Sequence, residues 1–309
     1  MLKSVELLIS LGYSNKDAED ITSSFLLVTL KDETLCKKIN ENFNYLISLG
    51  YTRADVIKMT KLLPALYGYN KETIEEKISF LISLGYTKSD VIKMSKKLPM
   101  LFSYSKENIE EKIVFLKSFG YTTPDIIKMT KLVPSLYSYS KEKIEEKIAF
   151  LISLGYTITN VINMTKSSPS LYCLSEKNIE DKISFLIDLG YTKPDVIKMT
   201  NCFSSLYNLS KENIEDKIKY LIEINLNCIV VNDTKKLMQS VSLTFARYEF
   251  LTKEKGIIID ESNYSKLFYG ETNFKKQYGV SKNMLLKKYS YEDYRENKKC
   301  LIKKNQFNC

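Results

Sequence analysis

Residues 121–155 read YTTPDIIKMTKLVPSLYSYSKEKIEEKIAFLISLG. Thr122 followed by Asp125 predicts a helix N-terminus with an acid three residues on. Pro124 suits an early helical position, where its missing N–H costs little. Ile126, Ile127 and Met129 are the apolar positions of a short helix, A. Pro134 then breaks the chain, and Leu136, Tyr137 and Tyr139 make an apolar connector of about one helical turn. Ser140 caps a second helix, B, whose Ile144, Ile148, Leu151 and Leu154 share one face. Gly155 ends it as a left-handed residue beyond the helix.

The same reading applies along most of the chain. Gly-Tyr recurs at Gly50-Tyr51, Gly85-Tyr86, Gly120-Tyr121, Gly155-Tyr156 and Gly190-Tyr191, with a period of 35 residues. Five repeats follow, at 51–85, 86–120, 121–155, 156–190 and 191–225, with divergent ones at 13–50 and 226–256. A single helix pair cannot bury its apolar face alone, whereas stacked pairs build one continuous core. The expected fold is therefore all-α, a right-handed-type α-solenoid of about six to seven helix–turn–helix repeats over 1–256. Residues 257–309 leave the repeat. Tyr264, Leu267, Phe268, Phe274, Tyr278, Leu285, Leu286 and Tyr289 supply a helical cap for the last open face. A basic tail follows, expected to be disordered past about Tyr294, with Lys287 and Lys288 on a helix.

Composition removes whole classes of chemistry. The 309 residues contain no His and no Trp. Without His there is no Ser-His-Asp or Cys-His relay and no His-bearing zinc site. The six Cys include no CxxC pair, so neither a four-cysteine zinc site nor a disulfide framework is expected, and a reducing setting fits better. The Gly and Pro sit mostly at repeat ends and mid-repeat breaks, leaving nothing like GxGxxG or a P-loop. No apolar run reaches the roughly 18 residues of a membrane helix, and Glu6 interrupts any signal-peptide core. No enzymatic activity, cofactor, metal or membrane partner is expected.

The net charge is +9, almost all of its cations Lys. One Lys line runs through helix A at Lys58, Lys93, Lys128 and Lys198, with Asn163 as the exception. A second lies three residues on, at Lys61, Lys96, Lys131 and Lys166, with Asn201 as the exception. Positions three apart share a helix face, so stacking aligns them into a double ladder. Helix B is acidic, with Glu72, Glu75, Glu76, then Glu107, Glu110, Glu111, then Glu142, Glu145, Glu146. Lys77, Lys112, Lys147, Lys182 and Lys217 lie beside that face and read as its charge partners. A polyanion would approach the A edge, and its affinity should fall steeply with salt. With helices ~9–10 Å apart, six repeats span roughly 55 Å, about 16 base pairs. The plain alternative is that these Lys are solvated or meet the helix macrodipole. The Tyr and Met columns (Tyr51, Tyr86, Tyr121, Tyr156, Tyr191; Met59, Met94, Met129, Met164, Met199) read as core filler before base-stacking surfaces.

The string Val133-Pro134-Ser135-Leu136-Tyr137, then Ser140, Ile144, Ile148, Phe150-Leu151 and Leu154-Gly155, resembles the repeat of the mitochondrial transcription termination factor (mTERF) family. The resemblance covers about residues 13–256. Ser242-Leu243, Ala246-Arg247-Tyr248 and Phe250-Leu251 look like that family's last repeat. Transcription-activator-like effectors repeat at a similar length, but their Gly-rich base-reading loop is missing here. The mTERF resemblance implies a solenoid that binds double-stranded nucleic acid and acts in transcription or its regulation, and it singles out Arg247. Family members often carry a basic residue just after the mid-repeat Pro. Here Ala65, Met100, Ser135, Ser170 and Ser205 stand at that place. With so few Arg, phosphate-directed binding is expected over base readout.

The nucleic-acid-binding set expected from all this is Lys58, Lys61, Lys93, Lys96, Lys128, Lys131, Lys166, Lys198, Arg247, Lys287 and Lys288. Double-stranded DNA is the favoured partner, with RNA possible, and the chain is expected to be a monomer. A bacterial-type cytoplasm is the expected compartment, with a mitochondrion or plastid as the alternative. The competing function is a protein-binding scaffold, which an apolar or acidic groove would favour.

Overall fold

The computed structural model describes residues 2–24 and 27–306, with side chains described to Lys298. It is all-α, with no strand among the described residues. In chain order the helices are α1 Lys3–Ser10, α2 Asn15–Thr22, α3 Asp32–Leu49, α4 Arg53–Leu62, α5 Lys71–Ser83, α6 Lys88–Lys97, α7 Lys106–Ser118, α8 Thr123–Leu132 and α9 Lys141–Ser153. They continue as α10 Ile158–Ser167, α11 Glu176–Asp188, α12 Lys193–Cys202, α13 Lys211–Glu223, α14 Cys228–Asn232, α15 Val241–Glu249, α16 Glu271–Tyr278, α17 Lys282–Lys288 and α18 Tyr291–Gln306. From α4 to α13 the even-numbered helices are the A helices and the odd-numbered ones the B helices. A single 3₁₀ turn joins each A to its B, at Pro64–Tyr67, Pro99–Phe102, Pro134–Tyr137, Pro169–Cys173 and Ser204–Asn208.

The helix starts follow the sequence chemistry. Thr52, Thr87, Thr122 and Thr192 each form a capping box with Asp55, Asp90, Asp125 and Asp195. The hydroxyl takes the acid's backbone N–H, and the carboxylate takes the Thr backbone N–H, so two orphan donors are met at once. At the other end, Gly85 sits at φ +109°, and a Cβ there would lie 2.9 Å from Cδ1 of Ile127. The left-handed backbone demands glycine at that position, and an added Cβ would also push the Ile127 methyl aside.

By contact density the chain forms two units, Met1–Ser153 with Thr165–Cys173, and Leu154–Met164 with Leu174–Cys309. Within the first, α2, α4, α6 and α8 pack in succession. Its core is a set of repeated rows: Met59, Met94 and Met129; Leu66, Leu101 and Leu136; Ile74, Ile109 and Ile144; Leu81, Leu116 and Leu151, all buried. The Met column is core, as its helical spacing implied.

The Tyr column is core as well, and it is polar. Tyr86, Thr130 and Tyr137 are all buried. The Tyr86 hydroxyl lies 2.5 Å from Thr130 Oγ1 and 2.7 Å from the Tyr137 hydroxyl. Thr130 Oγ1 already donates to the Ile126 carbonyl at 2.7 Å. It must therefore accept from Tyr86, which in turn accepts from Tyr137. The order Tyr137 to Tyr86 to Thr130 to Ile126 carbonyl satisfies every hydroxyl. The arrangement recurs at Tyr121 with Thr165 and Tyr172, at Tyr13 with Thr60 and Tyr67, and, in the second unit, at Tyr156 with Thr200 and Tyr207. Tyr51 meets only Ser95, because Phe102 stands where the second Tyr would be. Burial pushes the Tyr51 hydroxyl pKa up to about 12.

Lys77, Lys112, Lys182 and Lys217 depart from their expected role. They are buried, not paired with the acidic face. Their ammonium groups donate to backbone carbonyls at the end of the next connector: Tyr104, Tyr139, Leu209 and Leu237 respectively. Lys77 and Lys112 also lie over the rings of Phe80 and Phe115. Burial lowers the pKa of all four. Each is a strut between one repeat and the next, satisfying a carbonyl that the helices leave open.

The second unit ends in the cap. Tyr220, Phe245 and Tyr291 form a buried cluster, with Tyr289 and Tyr294 packed against it. The expectation of disorder past Tyr294 is corrected as far as Lys298, where α18 is held against α13. Arg295 pairs with Asp216 at 2.9 Å and Lys298 with Glu223 at 2.6 Å. An aromatic seam plus acids on α13 holds this basic helix in place. No single helix among those described is long and apolar enough to cross a membrane.

Candidate nucleic-acid interface

The two Lys lines of helix A have different fates, and the difference comes from what each meets. Lys61 reaches back to Asp17 in the first turn of α2, and Lys96, Lys131 and Lys166 each reach back to the capping-box acid of the preceding A helix. The pairs are Lys61–Asp17 at 2.9 Å, Lys96–Asp55 at 2.7 Å, Lys131–Asp90 at 3.0 Å and Lys166–Asp125 at 2.9 Å. One carboxylate thus caps its own helix and ties it to the next. The Asp125 carboxyl is held at about 2, first by the Thr122 hydroxyl and then by Lys166. These Lys remain partly exposed, but a phosphate would have to compete with an existing partner.

A signal for this pairing lies in the sequence. Where the acid becomes Asn160, the Lys that would face it becomes Asn201. The offset from Asn160 to Asn201 equals that from Asp55 to Lys96. Both charges change together, as expected of partners and not of independent phosphate ligands.

Lys58, Lys93 and Lys128 behave otherwise. They occupy the same position on α4, α6 and α8, which pack in succession. All three are exposed, and among the described residues none has an ion pair or side-chain hydrogen bond. They form a row of free ammonium groups on the first unit. Lys198, on α12 of the second unit, is exposed and donates to the Asn232 side chain at 2.8 Å.

The remaining expected residues are placed elsewhere. Arg247 is only 2% exposed. It donates to the Leu267 carbonyl at 2.9 Å, the Tyr269 carbonyl at 2.7 Å and the Gln239 side chain at 3.1 Å, and its guanidinium lies over the Phe274 ring. Its expected role as a phosphate contact is corrected on this ground: it has no surface to offer, and its charge ties the cap loop to α15. Lys288 pairs with Glu254 at 2.9 Å. Lys287 is exposed on α17. Among the described residues there is no cluster of acids and cysteines able to hold a metal ion. Cys173 and Cys202 are free and exposed.

Comparison with known families gives one result. The mTERF family model matches the chain in two overlapping stretches, residues 1–162 and 105–231. No curated protein matches the chain.

Proposed function

Because this chain belongs to the mTERF family, we propose that it is a nucleic-acid-binding solenoid without enzymatic activity. Its target is duplex DNA, gripped through phosphates, and its role lies in transcription or its regulation. The observation that carries this reading is the row Lys58, Lys93 and Lys128, which has no partner among the described residues while the neighbouring Lys line is paired with Asp. Free ammonium groups in one register on successive helices favour a repeating anion, and each phosphate met releases condensed counterions. Lys198 and Lys287 add exposed charge on the second unit. Side chains of this kind carry little base information, so weak sequence preference follows. The chain acts as a monomer in this reading.

The test is fluorescence anisotropy with a labelled mixed-sequence duplex of ~20 base pairs, the ladder's expected span with some overhang, run beside single-stranded DNA and duplex RNA. Binding to the DNA duplex that weakens as salt rises supports the proposal. Absence of binding to any of the three at low salt refutes it.

A further inference from the structure

The B helices carry a surface of opposite chemistry. On α7, Glu107, Glu110, Glu111, Val114 and Phe115 line an open groove of about 490 Å³, with Lys141 of α9 on the far side, 3.6 Å from the Glu111 carboxylate. Val114 is 67% exposed there. A groove of about 580 Å³ lies two repeats earlier, lined among others by Glu41 and Tyr45 of α3 and Lys71 of α5. Each groove has an acid, an aromatic ring four residues on, and the first residue of the following B helix as its opposite wall.

In the second unit the chain fills this same register itself. By repeat position, Glu111, Phe115, Ser118 and Lys141 correspond to Asp216, Tyr220, Glu223 and Val241. On those four residues lies α18. Arg295 meets Asp216 and Lys298 meets Glu223. The rings of Tyr291 and Tyr294 meet Tyr220 edge-on at 5.7 and 6.5 Å, and Val241 packs against the same cluster. The intramolecular contact shows what these positions hold: a basic helix with two aromatic residues one turn apart and an Arg directly after the second.

We propose that the B-helix groove between α7 and α9 is a docking site for a basic, aromatic helical segment of another protein, seated as α18 is seated on α13. Two aromatic residues pack on Phe115 and beside Val114, and an Arg takes the place of Lys141, 3.6 Å away, as the partner of Glu111. The three Glu of the groove repel polyanions and select a cationic partner. The site is separate from the Lys row on the A helices, so the two surfaces bind opposite charges. This inference stands or falls without the nucleic-acid reading.

The test uses the full chain and a fluorescein-labelled peptide of residues 290–306, with Cys300→Ser to prevent oxidation, read by anisotropy. Saturable binding is expected. Glu107→Lys/Glu111→Lys should weaken it by about tenfold or more, and Phe115→Ala should weaken it independently. A peptide carrying Tyr294→Ala/Arg295→Glu should not bind. Lys93→Glu/Lys128→Glu in the protein should leave peptide binding unchanged while it weakens any DNA binding. Three results overturn the proposal. One is no binding. Another is binding indifferent to both groove variants, which would mean the peptide has displaced the chain's own α18. The third is self-association of the chain abolished by Glu107→Lys/Glu111→Lys, which would seat a second copy in the groove instead.

Discussion

Tyr86→Phe should cost far more than Tyr137→Phe, although both remove one hydroxyl from the same buried cluster. Tyr86 is the middle of the relay: it donates to Thr130 at 2.5 Å and accepts from Tyr137 at 2.7 Å. Its loss removes two hydrogen bonds and strands the Tyr137 hydroxyl, which is nearly fully buried. An orphaned buried hydroxyl costs about 1–3 kcal/mol and the other lost bond about 1 kcal/mol, roughly 2–4 kcal/mol together. Tyr137→Phe removes only the outer donor, and Tyr86 keeps Thr130, so about 0.5–1.5 kcal/mol is expected. The chain already tolerates that change once, at Phe102. In the double variant no hydroxyl is stranded, so its cost should fall short of the sum of the singles by about 1 kcal/mol or more. Urea unfolding followed by circular dichroism measures all three. Equal costs for the two singles, or strict additivity in the double, would refute the relay and its direction.

Other outcomes follow from the same geometry. Gly85→Ala should destabilise by about 1–2 kcal/mol in the same assay, from the left-handed backbone and the approach of Ile127; Ile127→Val should recover part of the loss. Asp125 has its folded pKa depressed to about 2, so its contribution is complete above the usual carboxylate range and is lost as pH falls through that value. Asp125→Asn, a residue that position 160 already accepts with its Thr157 cap bonds intact, should therefore flatten the loss of stability between about pH 4 and pH 2. Asn160→Asp with Asn201→Lys should install the missing inter-repeat ion pair. A double-mutant cycle should show a favourable coupling of about 0.2–1 kcal/mol that neither single change provides.

Much of this fold is written locally. Thr122 with Asp125, Pro134, Ser140 and Gly155 mark the boundaries of their helices through caps and breaks that depend only on near neighbours, and the Met and Ile rows follow from helical period. What escaped the sequence reading depends on partners a repeat away. Lys77 looked like a companion of Glu75 and Glu76, because its true acceptor is the backbone carbonyl of Tyr104, and any residue supplies a carbonyl. The Lys61 line looked like a phosphate ladder because its acids, such as Asp125, were already accounted for as caps. The joint change at Asn160 and Asn201 was the available clue. Arg247 matched a family motif in sequence, but only the folded cap shows that its guanidinium points inward to the Leu267 and Tyr269 carbonyls. Tyr291, Tyr294, Arg295 and Lys298 read as part of a charged tail because the acids that hold α18, Asp216 and Glu223, belong to a different repeat.

The salt dependence of duplex binding distinguishes the free Lys line from the Asp-paired one. Three or four phosphate contacts predict a slope of log affinity against log salt of about −3 to −4. Replacing Lys58, Lys93 and Lys128 by Ala should bring that slope close to zero or −1 with thermal stability little changed. Replacing Lys61, Lys96 and Lys131 by Ala should lower stability and leave the slope nearly intact. The reverse pattern, with the slope following the Asp-paired line and indifferent to Lys58, Lys93 and Lys128, would contradict the account.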